Sequence, residues 1–182
     1  MKMIKIIAIS MVLTIVILFI TFIIGLRIYD GDFFFLAPGY EKMDRFLKTN
    51  IDELSYVANE LFELDYDSIE IRREPLHEED KYNMRVSREY LVYETIPIPG
   101  ELVEHIQNLY ENGVEVISCG RDSIGFCLWS IMDESRDITY SRIGQEPESI
   151  QLIEVRELSI KNWYYEVHNF EKAKALNPQL FT

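Results

Sequence analysis

Cys119 and Cys127 are the only two cysteines of the chain, and they flank the turn-like segment Gly120-Arg121-Asp122-Ser123-Ile124-Gly125. A hairpin centred on residue 123 sets them directly opposite one another, where side chains of a non-hydrogen-bonded pair come close enough for a disulfide. The loop so closed is short, and the stabilisation it brings is modest. The competing reading is a pair of small buried hydrophobes. Neither cysteine stands in a context that activates a thiol, and no residues have metal-ligand spacing. His77, His105 and His168 lie far apart, outside any His-x-x-x-His or His-Glu-x-x-His arrangement. His105, between Glu104 and Ile106, reads as solvent-facing on a helix edge. Glu78, Glu79 and Asp80 read as a solvated acidic loop. There is no Gly-x-Ser-x-Gly elbow, phosphate loop, dinucleotide fingerprint or calcium loop. The spacing of residues therefore implies no catalytic residue, cofactor or metal.

A second candidate is aromatic. Trp163, Tyr164 and Tyr165 follow one another near the end of the chain, and a strand there sends alternate rings to opposite faces. One face then fills the core; the other either does the same or offers an aromatic platform to a ligand or peptide. Upstream lie Ile138-Thr139-Tyr140-Ser141-Arg142 and the turn Gly144-Gln145-Glu146-Pro147. This Tyr-Ser, Gly-x-x-Pro, Trp-Tyr-Tyr succession resembles the closing segment of a loose group of small bacterial proteins, anchored or exported, to which no activity is attached. The resemblance spans about the last 45 residues. It implies a place at or beyond the membrane, and no chemistry.

The start of the chain carries that location independently. From Ile6 to Leu26 there are 21 residues without a charge, 17 of them apolar. As a helix they extend roughly 32 Å, the thickness of a bilayer hydrocarbon core. A cleaved secretory signal is the rival, but Ile23 and Gly25 make a poor cleavage site because β-branched bulk fits the third position back badly. Lys2 and Lys5 precede the segment and only Arg27 follows it before Asp30 and Asp32, which holds the short end in the cytoplasm. The expected layout is residues 1–5 cytoplasmic, 6–26 transmembrane, 27–40 a juxtamembrane linker, 41–171 an extracytoplasmic domain and 172–182 a tail. Phe33, Phe34, Phe35 and Leu36 lie at headgroup depth or against the domain. Setting aside Lys2, Lys5 and Arg27 leaves 15 basic against 31 acidic residues, a formal charge of −16 beyond the anchor. Such an excess excludes a general nucleic-acid binder. It restricts partners, besides the lipid bilayer around residues 6–26, to cations, basic proteins or neutral ligands.

The elements behind the anchor follow from periodicity. Asn50 and Glu53 have the form of a capping box ahead of Ile51, Leu54, Val57, Ala58, Leu61 and Phe62, predicting a helix over 50–64. Pro38 and Gly39 mark a turn before it. Pro99, then Leu102, Val103, Ile106, Leu109 and Tyr110, then Asn112-Gly113, predict a second helix. Strands are predicted over 68–74, 84–95, 114–118, 126–132, 137–142, 150–155 and 163–167. The tail from Lys172 is a short helix or disordered. Runs of strands with two helices between predict an α+β domain, an antiparallel sheet covered by two helices. About 155 residues suffice for one core without obligatory disulfides.

Without a catalytic motif, the economical expectation is a single-pass membrane protein whose acidic domain is a binding or interaction module. An immunity-type protein that neutralises a basic toxin is the first alternative. A surface hydrolase without a recognisable motif is the second.

Overall fold

Eight antiparallel strands and three helices make up an α+β fold in a computed structural model, which describes Thr14 and residues 37–73, 83–89 and 92–176. Among the described residues no helix is long and apolar enough to cross a membrane. The predicted span over 6–26, apart from Thr14, lies outside them, as do Phe33 to Leu36, the acidic loop at 78–80 with His77, and the last six residues of the tail.

Helix α1 is Tyr40–Phe62, and it buries Met43, Leu47, Leu54, Val57, Ala58 and Leu61 at helical spacing. It begins directly after Gly39, ten residues before the capping-box signal at Asn50. Asn50 is instead a kink, with non-helical φ −116° and ψ 15°, and its side-chain amide donates to the Phe46 carbonyl at 2.9 Å. The Asn-x-x-Glu pattern marked a true restart of the helix, one preceded by another helical stretch. Helix α2 is Gly100–Glu111, entered after Pro99. It closes with the Gly113 amide on the Tyr110 carbonyl and the Val114 amide on that of Leu109, a Schellman motif made possible by φ +103° at Gly113. Helix α3 is Phe170–Leu176.

The strands are β1 Ser68–Arg72, β2 Asn83–Glu89, β3 Val92–Pro97, β4 Val116–Gly120, β5 Ser123–Ile131, β6 Glu134–Ser141, β7 Leu152–Glu157 and β8 Trp163–Asn169. Their order across the sheet is β3-β2-β1-β4-β5-β6-β8-β7. The single strand expected over 84–95 is two, because the chain reverses between Glu89 and Val92 without any glycine or asparagine to announce it. Two connections skip neighbours. Between β3 and β4 the chain carries α2 past β2 and β1. Between β6 and β7, residues 142–151 return along the full length of β8, since β6 ends beside Trp163 and β7 begins opposite His168.

One sheet face is apolar and meets the helices. Ile69, Ile71, Ile117, Ile124, Phe126, Ile138 and Trp163 join the α1 and α2 side chains in one core. Helix α1 lies against β4, β6 and β8 and against α2. The helix pair is tied by Glu53, whose Oε1 is 2.9 Å from His105 Nδ1 and accepts from Asn108 Nδ2 at 3.2 Å. His105 is thus half-buried and paired, with its ring 4.1 Å from that of Tyr56.

Candidate functional site

The aromatic tract does not form a surface platform. Trp163 and Tyr165 point to the helix side and Tyr164 to the other, yet all three are buried. Trp163 stacks on Phe126 at 6.1 Å and lies 5.1 Å from the Tyr140 ring. Tyr165 meets Tyr40 edge-on at 6.1 Å, and its hydroxyl donates to the Pro38 carbonyl at 3.4 Å. Tyr164 lies beneath the sheet, its phenol raised above the usual range by desolvation and then by the charges of Glu157 and Glu146. These rings join the first helical turn and the last strand of the domain.

The two cysteines are free thiols, and the register explains why no bond joins them. The turn is centred between Arg121 and Asp122, so Cys119 faces Ile124 and Cys127 faces Val116. That register is offset by three residues, an odd number, from a turn centred on 123, and it sends the two side chains to opposite faces of the sheet. Burial pushes the Cys119 thiol up to about 12. Cys127 is raised further, first by burial and then by the carboxylate of Asp137.

Register also assembles a polar cluster on the face away from α1 and α2. Cys127 of β5, Asp137 of β6 and Glu166 of β8 are successive cross-strand partners, and His168 lies two residues along β8. His168 Nε2 is 2.8 Å from Glu166 Oε2 and 3.6 Å from Asp137 Oδ2. Burial opposes the charge on His168, but the hydrogen bond to Glu166 and the charges of Asp137 and Glu166 outweigh it and raise its pKa. Burial likewise raises Asp137, against the pull of His168. The arrangement sets the His168 imidazole between the Glu166 and Asp137 carboxyl groups, beside a thiol kept protonated. That is a buried ion cluster, since a nucleophilic thiol needs the opposite field. Among the described residues no group of His, Cys, Asp and Glu could hold a metal ion.

A half-open cavity of about 240 Å³ lies along α2, lined by Arg73, Ile98, Val103, Ile106, Gln107, Tyr110 and Glu111. Val103, Ile106, Gln107 and Tyr110 recur at helical spacing and present one face of α2 to it, while Arg73 follows the end of β1 and Ile98 the end of β3. The floor is apolar, with Ile98 and Ile106 buried. The Tyr110 hydroxyl is buried and has no hydrogen-bond partner among the described residues, and burial pushes its phenol well above the ordinary value. Such an orphan hydroxyl costs about 1–3 kcal/mol unless a partner arrives. At the rim, the Gln107 side-chain amide donates to Glu111 at 3.4 Å. The lining contains no Ser, Thr, Cys or His to act as nucleophile or base. Sequence periodicity marked Val103, Ile106 and Tyr110 as a core face. It gave no hint of a cavity, because Arg73 and Ile98 reach it only through the tertiary fold.

No family model, no curated protein and no solved structure matches this chain.

Proposed function

We propose that the protein is a single-pass, membrane-anchored binding module. In this reading residues 6–26 cross the bilayer, the amino terminus stays in the cytoplasm and the acidic α+β domain lies outside it. The observation that carries the binding role is the cavity along α2, apolar at its floor and charged at its rim. Concave, mostly apolar sites with a few convergent polar groups are where small ligands bind. The charge-free apolar run and the flanking lysines support the anchor.

Protease shaving of intact cells tests the topology. The domain is expected to be cut while a cytoplasmic control survives. Complete protection of the domain, in cells whose known surface control is cut, would reverse the assignment.

A basic protein partner, as in an immunity-type role, is the second reading. It is favoured by the groove between α1 and α2, where Asp52, Glu53 and Glu111 gather among Asn50, Asn108 and Asn112. Binding of such a partner would weaken steeply with added salt.

A further inference from the structure

We propose that the end of the sheet formed by the β5–β6 turn and the start of β7 dips into the surface of a lipid bilayer, an inference that rests on the membrane-anchored reading. Met132, in that turn, is 99% exposed and holds φ at +53°. The other non-glycine residues with positive φ among the described residues are Asp65 and Asn162, whose short polar side chains tolerate the left-handed region. A polar residue at 132 would relieve both the steric cost and the exposure of a long apolar side chain; methionine relieves neither. Such an outlier points to a use for the side chain. Apolar neighbours extend it. Ile131, the last residue of β5, and Ile150, just before β7, are exposed as well. The strand ends that carry them adjoin: Ile131 pairs with Glu134, Glu134 with Asn169, and the Asn169 amide donates to the Gln151 carbonyl at 3.0 Å. Half-buried Phe170 follows, its amide donating to the Asp133 carbonyl at 3.1 Å.

The geometry selects lipid over protein. The exposed aliphatic side chains form a narrow ridge and offer far less than the roughly 800 Å² that each side of a stable protein interface buries. A second copy would bring together two domains of formal charge −16 across that ridge. A bilayer needs no matching contour, and apolar tips backed by lysines suit its interface. Lys172 and Lys174 of α3 are exposed, and the Lys172 amide donates to Asn169 Oδ1 at 2.7 Å. The chain also enters the domain nearby. The Pro38 carbonyl accepts from the Tyr165 hydroxyl, and Tyr165 lies four residues before Asn169 on β8, roughly 13 Å away. The far edge, β3, stands six strand spacings from β8, about 29 Å. Residues 27–36 can extend about 35 Å, so an anchor over 6–26 leaves this end of the sheet able to meet the same bilayer. Tethering then supplies the effective concentration that so small a ridge needs.

Fluorescence of the full-length protein in phosphatidylcholine liposomes tests this, with part of the lipid brominated on its acyl chains as quencher. Met132→Trp should emit a component quenched at least about twofold by the brominated lipid, above the signal of Trp129 and Trp163 in the unsubstituted protein. Tyr93→Trp, exposed on β3, should answer only to aqueous acrylamide. Adding Ile131→Ser and Ile150→Ser to Met132→Trp should remove at least about half of the lipid quenching. Both positions are exposed, so the melting temperature should hold, and the loss separates insertion of the ridge from the affinity of tryptophan itself for lipid. Quenching of Met132→Trp by acrylamide alone overturns the proposal, as does equal lipid quenching of Tyr93→Trp. Capture of a defined protein by a crosslinker at residue 132, without lipid contact, overturns it too. Carbonate extraction of the same liposomes keeps the two readings apart: protein that stays in the membrane without lipid contact at 132 removes this inference alone, whereas protein washed out removes the anchor and this inference with it.

Discussion

His168 Nε2 lies 2.8 Å from Glu166 Oε2 on the same strand, two residues away, with the Asp137 carboxylate of the neighbouring strand 3.6 Å from the same nitrogen. The groups facing this imidazole are therefore Glu166 on its own strand, Asp137 and Arg136 on β6, and, beside Asp137, the Cys127 thiol on β5. Two carboxylates against one ring favour its proton, and the raised pKa gives folding a definite pH dependence. His168 holds its proton more tightly folded than unfolded, so its stabilisation is complete below its ordinary value of 6.5 and is lost as pH rises through the higher folded-state value. Asp137, also raised, acts with the same sign from 3.8 upward. Urea denaturation should show stability falling as pH rises above 6.5. His168→Gln should lower stability at pH 6 by about 3 kcal/mol, because two buried carboxylates lose their counter-charge, and should flatten that slope. An unchanged slope in the variant would remove His168 from the explanation.

Asp44 behaves in the opposite sense. Its Oδ2 accepts from Lys48 Nζ at 2.7 Å and its Oδ1 from the Ser159 amide at 2.8 Å, tying α1 to the β7–β8 turn. The Lys48 hydrogen bond, followed by those from Ser159, holds its carboxyl down at about 2. This stabilisation is present above 3.8 and is lost as pH falls through about 2. Asp44→Ala should cost about 1 kcal/mol at pH 7, kept small by solvent screening, and the cost should shrink as the pH falls towards 2. Chemical denaturation at pH 7 and pH 2.5 measures both; an equal loss at the two pH values would show that packing, not charge, is responsible.

Phe126 anchors the centre of the core. It is fully buried, sits between Ile117 and Ile138 on the flanking strands and stacks on Trp163. Phe126→Ala should destabilise by about 3–5 kcal/mol, read from the shift of the urea midpoint at constant m-value. A loss below 1 kcal/mol would mean that the helix face of the sheet is not packed as described.

The thiols give a prediction in redox terms. Protein purified without reductant and unfolded in guanidinium should titrate two thiols per chain, while native protein should react far more slowly because Cys119 is buried, Cys127 is half-buried and both are poor thiolates. A mass lower by two hydrogens, or no titratable thiol after unfolding, would contradict the register of β4 and β5.

Gly144 sits at φ +70°, and a Cβ there would come within 3.2 Å of Asn162 Oδ1. Gly144→Ala should therefore cost about 1–2 kcal/mol, whereas Gly39→Ala, with open space around it, should be nearly silent. Equal thermal shifts for the two would argue against the left-handed turn.

The parts of this fold legible in the sequence are those written in local terms. Pro99 and Gly113 bracket α2 because a ring before a helix and a left-handed residue after it are local requirements. Ile69 and Ile71 announce β1 by alternation. Other features are decided by strand register alone. A turn centred between Arg121 and Asp122 rather than on Ser123 changes no composition, yet it divides Cys119 from Cys127. The kink at Asn50 left a start signal in the middle of a longer helix. The cluster of Cys127, Asp137, Glu166 and His168 was invisible for a topological reason: its members become neighbours only once β8 lies between β6 and β7. The cavity along α2 was hidden likewise, since no periodicity in α2 reveals which end of which strand stands beside it.

The position of β8 also has a consequence for synthesis. The last strand of the sheet is an interior one, with β6 on one side and β7 on the other. A ribosome delivers β6 and β7 before the strand that joins them, so an emerging chain holds both with an unsatisfied hydrogen-bonding edge until Asn169 has cleared the exit tunnel. Vectorial folding from the amino terminus therefore stops at the six strands β3-β2-β1-β4-β5-β6, and completion awaits β8. Nascent chains arrested short of β8 should be the species most in need of a chaperone.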